Sequence, residues 1–229
     1  MITEIEGLEL FEKKFPKGIR LCWEDIERDL WEMYTSIISS GFDPDVIIGV
    51  ARGGLVPARL LLDYFHKKYI CTVQMGHWEK GSGYSEQPVM VYPLPEVDLT
   101  RQNVLVVDDI CDEGHTMGFV MEYLGDKVKE LRSSVLICKS ESSFIPDYCA
   151  RRLEEWCWVF LPWSQHEDLI SFVERILQVT GGAKVEDIIR ILEHSMHIEI
   201  GLPEVERVLF DMKHAGEVSE GSDRIWTLI

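Results

Sequence analysis

The stretch VLVVDDICDEGHTM, residues 104–117, decides how the chain is read. Its four leading apolar residues, Val104-Leu105-Val106-Val107, suit a strand buried on both faces. The run ends in two carboxylates, Asp108 and Asp109. A turn with Gly114 follows, and a helix is expected from about Thr116 to Leu131. In an open α/β sheet, ligands bind beyond the carboxyl ends of the strands. A loop entering a helix N-terminus offers free N–H groups and partial positive charge, which suit a phosphate. Two acids beside such a loop suit sugar hydroxyls or a cation held by oxygen ligands. The plainer alternative is a strand-to-helix turn whose Asp residues only cap the helix. It does not account for a third acid, Asp112, two residues before Gly114 and four before Thr116.

Working outward, residues 43–61, DPDVIIGVARGGLVPARLL, repeat the strand–loop–helix plan, with Arg52-Gly53-Gly54 breaking a β-branched run. Glycines let backbone approach a charged ligand closely, and Arg52 can contact a phosphate with two N–H groups. Before this segment, apolar residues from Trp23 to Ser40 recur at helical spacing and stop at Gly41. After it, Tyr69 to Met75 and Val89 to Tyr92 are expected strands. Residues 77–88, HWEKGSGYSEQP, are polar and Gly-bearing and are expected to form a long loop. Ser134 to Cys138 and Cys157 to Leu161 complete the expected strands. Strands alternating with helices define the α/β class, a twisted, mainly parallel sheet flanked by helices.

After Trp163 the pattern changes. Helices are expected at Glu167–Val179, Lys184–Glu193 and Pro203–His214, with a terminal hairpin turning near Gly221-Ser222-Asp223. The expected division is a main domain, 1–179, and a winged-helix-like appendage, 183–229.

The 229 residues suffice for one good core and a small appendage. A net charge of −17 argues against a general nucleic-acid surface, since phosphate binding needs clustered Lys and Arg. It also requires that any anionic ligand be met by a cation and by local donors. The six cysteines form no CxxC pair, so free thiols are expected, not a zinc site. The acidic N-terminus, MITEIEGLELFEKKF, is unlike a signal peptide, and no apolar run approaches a membrane span; a cytoplasmic protein without membrane contact is expected. A Walker-type GxxxxGK[ST] is absent, which argues against ATP hydrolysis.

Residues 104–117 resemble the signature of the type I phosphoribosyltransferases, an apolar strand, an acidic pair and an Asp-Thr/Ser-Gly-x-Thr/Ser loop, matched here by Asp108, Asp109, Asp112, Gly114 and Thr116. The resemblance implies that Asp108 and Asp109 hold the ribose of the donor PRPP, with Mg²⁺ bound to them directly or through water. Asp112, Glu113, Gly114, His115 and Thr116 would wrap the 5′-phosphate, and Asp112 would act as acid/base on the imidazole ring of a purine. Glu113 stands where a hydroxyl residue is usual; the loop then works if backbone N–H groups do the cradling and Glu113 turns outward. Ala51, Arg52, Gly53 and Gly54 resemble the pyrophosphate loop, with Arg52 assisting catalysis and a cis peptide expected at Ala51–Arg52. The 77–88 segment would be a lid, with Lys80 reaching the pyrophosphate. Its Tyr84-Ser85 reverses the family's usual Ser-Tyr order.

Residues 134–163 are similar to the purine branch, in particular xanthine-guanine-type enzymes. That likeness gives Lys139 the purine 6-oxygen, Trp158 the stacking role and Val159 the wall. The alternative makes Trp156, Trp158, Phe160 and Trp163 simple core. Ser164 stands where an acid is common, which leaves hypoxanthine, guanine and xanthine open. The implied protein is a Mg²⁺-dependent purine-salvage phosphoribosyltransferase, a homodimer by family habit. The resemblance covers roughly residues 20–165. A PRPP-sensing transcription regulator is the rival, and a transferase for another base a third reading. Against DNA binding, residues 183–229 hold five Lys/Arg and ten Asp/Glu.

Overall fold

In order along the chain the elements are β1 (Gly18–Arg20), α1 (Trp23–Ser39), β2 (Val46–Ala51), α2 (Leu55–Tyr64), β3 (Ile70–Lys80), β4 (Gly83–Tyr92), β5 (Asn103–Cys111), α3 (His115–Leu124), β6 (Glu130–Lys139), β7 (Tyr148–Leu153), β8 (Trp158–Phe160), α4 (Gln165–Thr180), α5 (Val185–Met196), α6 (Leu202–His214), β9 (Val218–Glu220) and β10 (Trp226–Leu228). The computed structural model describes residues 15–80 and 83–229, and of residues 77–80 and 83–87 the backbone alone. These residues form two compact units, one of residues 23–156, the other of 15–22 with 157–229.

The first unit is a six-stranded sheet in the order β4-β3-β2-β5-β6-β7. Every neighbouring pair is parallel except β3–β4. The apolar runs explain the parallel centre. Ile47, Ile48 and Val104 to Val107 are wholly buried, as strands covered on both faces must be. On one face, Val104, Val106 and Val135 pack with Met117, Val120 and Leu124 of α3. Helices α1 and α2 touch each other and cover β6–β7 and β2–β5 respectively.

In this unit four sequence expectations need correction. The polar stretch 77–88 is not simply a loop: β3 continues to Lys80 and β4 begins at Gly83, pairing antiparallel with register shifts at Gln74/Met75 and His77/Glu79. Polarity on both faces, which suggested a loop, is compatible with a ribbon whose backbone bonds are satisfied within the pair. Helix α3 stops at Leu124, with a 3-10 turn at Gly125–Lys127 in place of further α-helix. Strand β6 is longer than expected. Strand β7, YCARRL, was hidden by its two arginines, but Arg151 Nε and Nη2 donate to Asp29 of α1 at 3.0 and 3.1 Å. Two hydrogen bonds to the nearly buried Asp29 carboxylate replace the apolar packing a strand would normally show.

In the second unit β8 does not join the large sheet. It pairs in parallel with β1, Gly18 opposite Trp158 and Arg20 opposite Phe160. Helices α4, α5 and α6 bury Phe172, Ile188, Leu192, Val205 and Leu209 together with Phe160 and Trp226. The hairpin is present as β9–β10. The expected boundary at 179–183 falls inside this unit, because the apolar face of α4 is buried with α5, α6 and the hairpin. Arg20 and Gln165 both donate to Glu204, the latter at 2.5 Å, and the Gly201 N–H donates to its other oxygen at 2.7 Å. Burial works to raise the Glu204 pKa, but these donors outweigh it and hold the carboxyl below its ordinary range.

Candidate active site

The site-bearing loops of residues 23–156 follow from the strand order. From β2 the chain crosses to β3 on one side; from β5 it crosses to β6 on the other. Loops leaving adjacent strand ends in opposite directions open a crevice, which is where α/β sheets bind ligands.

The loop after β2 contains a cis Ala51–Arg52 peptide, as expected. Arg52 is exposed. Gly53 lies so close to the neighbouring loop that an added Cβ would sit 1.9 Å from Asp109 Oδ2, and one on Gly54 would sit 2.5 Å from the Val107 carbonyl oxygen. Glycine is required at both positions for the two loops to touch.

Near the end of β5, the Asp108 carboxylate accepts the Asp109 N–H at 2.9 Å, and Asp109 accepts the Ile110 N–H at 2.8 Å. Asp108 is buried. Burial, then the adjacent Asp109 charge, push its pKa well above the ordinary carboxylate range. The turn closes at Gly114, whose φ of 89° lies in the left-handed region. Helix α3 begins there without a side-chain cap, and a helix start of this kind can offer its first N–H groups to an anion. Glu113 is turned outward, its side chain 75% exposed and 3.3 Å from His115 Nδ1. Its backbone carbonyl accepts from Ser143 N and Oγ at 3.0 and 2.7 Å. Thr116 is half-buried.

The register of β5 and β6 sets Cys111 opposite Cys138, so Asp112 and Lys139 end adjacent strands. Lys139, 5% exposed, donates to Asp112 Oδ2 at 2.7 Å. Trp156 Nε1 donates to the other oxygen, Oδ1, at 3.1 Å. The Lys139 ammonium also lies 4.3 Å from the Trp156 ring centroid, within cation–π range. Asp108, Asp112, Gly114, Thr116, Glu141 and Trp156 are among the residues lining a cavity of about 450 Å³ here.

Thus Asp108, Asp109, Asp112 to Thr116, Lys139 and the glycines of the first loop lie close together. Trp156 was missed, since spacing alone does not separate it from Trp158. Trp158 and Val159 belong to the other unit. There Val159 is buried, and Trp158 packs edge-on against Phe172 at 5.3 Å with its indole N–H lacking a hydrogen-bond partner. The side chains of Lys80, Tyr84 and Ser85, the expected lid contacts, lie outside the described residues. Among the described residues no helix is long and apolar enough to cross a membrane.

A mainly parallel sheet with its two loops at one switch point is an α/β fold of the kind that binds ligands at that crevice. The phosphoribosyl transferase domain model matches residues 22–165, and the chain belongs to that family, whose members are PRPP-dependent transferases. It is similar to a xanthine-guanine phosphoribosyltransferase of Cereibacter sphaeroides, 24% identical over 65% of this chain and 87% of that protein. To that of Idiomarina loihiensis it is 30% identical over 64% of this chain and 86% of that protein. Among solved structures, a purine phosphoribosyltransferase from Pyrococcus horikoshii superposes with a TM-score of 0.56 at 31% identity, covering 64% of this chain and 93% of that one.

Proposed function

We propose that the protein transfers a phosphoribosyl group from PRPP to a 6-oxopurine (hypoxanthine, guanine or xanthine), releasing pyrophosphate, as a purine-salvage enzyme. The observation that carries this reading is the Lys139–Asp112 pair, 2.7 Å apart at the ends of β6 and β5. It offers an ammonium donor and a carboxylate acceptor side by side. A 6-oxopurine presents the matching pair, a carbonyl oxygen beside an imidazole N–H. The names of the relatives from C. sphaeroides, I. loihiensis and P. horikoshii support the same substrate class.

In this mechanism the uncapped first turn of α3 anchors the 5′-phosphate through backbone N–H groups. Asp108 and Asp109 bind the ribose hydroxyls. Arg52 binds the departing pyrophosphate. Asp112 accepts the imidazole proton as the base attacks the anomeric carbon, while Lys139 fixes the 6-oxygen. Positioning and charge supply most of the rate enhancement. Lys80, Tyr84 and Ser85 belong to the lid of this site.

Mg²⁺ fits this donor set. Asp108 is buried next to Asp109, and burial with that neighbouring charge raises its pKa, a penalty on the charged form that a bound cation would relieve. No group of three or more His, Cys, Asp or Glu converges as a full metal cage among the described residues. That suits an ion held by one or two carboxylates plus water and substrate oxygens. Asp108 and Asp109 would hold it, directly or through water, where it supplies positive charge to the diphosphate. The test is nucleotide formation from PRPP, Mg²⁺ and each of hypoxanthine, guanine, xanthine, adenine, uracil and orotate. Product from 6-oxopurines is expected; product only from adenine or a pyrimidine refutes the assignment.

A further inference from the structure

We propose that Trp156 is a base-responsive latch, a positioning residue that holds Asp112 in the empty site and is displaced when a 6-oxopurine enters. The inference rests on the reading of Asp112 and Lys139 given above and adds a residue to it.

Both oxygens of Asp112 are engaged: Oδ2 by Lys139 at 2.7 Å, Oδ1 by the Trp156 indole N–H at 3.1 Å. An incoming ring N–H that approaches Asp112 meets two donors already drawing on its acceptor capacity. The two donors differ in their freedom to leave. Lys139 is 5% exposed and is anchored at the end of β6, between β5 and β7. Trp156 is 38% exposed and follows β7 in a stretch without regular structure. Trp156 is therefore the donor that yields, and its N–H competes with the ligand's ring N–H for Oδ1.

Its ring adds a second contact, lying 4.3 Å from the Lys139 ammonium and shielding the pair while the site is empty. A purine carbonyl approaching Lys139 meets an ammonium that this ring covers on one side. The ligand that opens the latch thus needs both features, a carbonyl for Lys139 and an adjacent ring N–H for Asp112. A base bearing an amine in place of the carbonyl presents donors to a donor and gains nothing by displacing Trp156.

The experiment compares wild type with Trp156→Phe, which keeps a ring but removes the N–H. A hydrogen bond to a charged carboxylate is worth roughly a tenfold or larger change in an equilibrium constant. The KM for guanine is expected to fall about tenfold, with kcat and the KM for PRPP changed less than about twofold. Saturating GMP should alter the intrinsic fluorescence of wild type and of Trp31→Phe but not of Trp156→Phe. Trp156→Leu, which also lacks the N–H, gives the same test should the Phe variant fail to fold. An unchanged or raised guanine KM in an active variant overturns the latch alone and leaves the transferase reading standing. Wild type that makes no nucleotide from any 6-oxopurine overturns both.

Discussion

Two groups of acids in this protein are treated in opposite ways. In the C-terminal unit, Glu204 is surrounded by donors from Arg20, Gln165 and the Gly201 backbone, and its pKa is held down despite burial. At the end of β5, Asp108 is buried beside a second carboxylate, Asp109, and its pKa is pushed up. The first arrangement stabilises the charged form within the fold; the second disfavours it. A carboxylate held charged by its own chain supports structure, whereas one whose pKa is raised by burial and a like charge is a candidate functional group.

The contrast can be broken most forcefully at Asp112. Asp112→Asn should lower kcat at least a hundredfold, the usual range for loss of a general acid or base, while calorimetric PRPP affinity changes less than threefold. Equal loss of both would assign Asp112 to phosphate binding instead. Gly53→Ala should come next. A Cβ 1.9 Å from Asp109 Oδ2 forces that carboxylate to move, and kcat/KM for PRPP should drop at least about tenfold, from the misplacement alone. Wild-type kinetics from this variant would mean that the two loops do not act as one surface.

The lesson about legibility follows from the same residues. The sequence 104–117 and 46–54 could be read because each loop's chemistry is contiguous: strand, acids or glycines, then helix. Even the outward turn of Glu113 was a stated alternative. Strand β7 could not be read because Arg151 is neutralised by Asp29, 122 positions earlier. Trp156 was invisible for a similar reason. Its contact with Asp112 spans 44 positions, and the resemblance drew attention to Trp158, two residues on. The pairing of β8 with β1 joins segments 140 positions apart, Gly18 opposite Trp158, and local pattern says nothing about such partners.

Smaller effects on stability sharpen the comparison from its other side. Asp108→Asn should stabilise the empty protein at neutral pH, raising Tm by about 2–4 °C if the gain is about 1 kcal/mol. The sign follows from the raised pKa: the folded carboxyl holds its proton more tightly than the unfolded one, so stability falls as pH rises from about 4 through the raised value. Asn removes that slope while weakening PRPP binding. Glu204→Gln should do the reverse in the C-terminal unit, destabilising by about 1 kcal/mol at pH 7 through loss of charge at the start of α6. Its folded pKa is lowered, so the contribution is present above the ordinary Glu range near 4.5 and is lost as pH falls through the folded value. Chemical denaturation of wild type and variant between about pH 3 and 7 checks both slopes. Identical pH dependence in wild type and either variant would remove the contrast between the two acids.

The central claim is that Lys139 and Asp112 together read a 6-oxopurine. The most direct measurement is the ratio of kcat/KM for hypoxanthine to that for adenine, with PRPP and Mg²⁺ saturating. A site built to hydrogen-bond the 6-oxygen predicts a preference for hypoxanthine of at least about a hundredfold. Equal use of the two bases, or a preference for adenine, would contradict it.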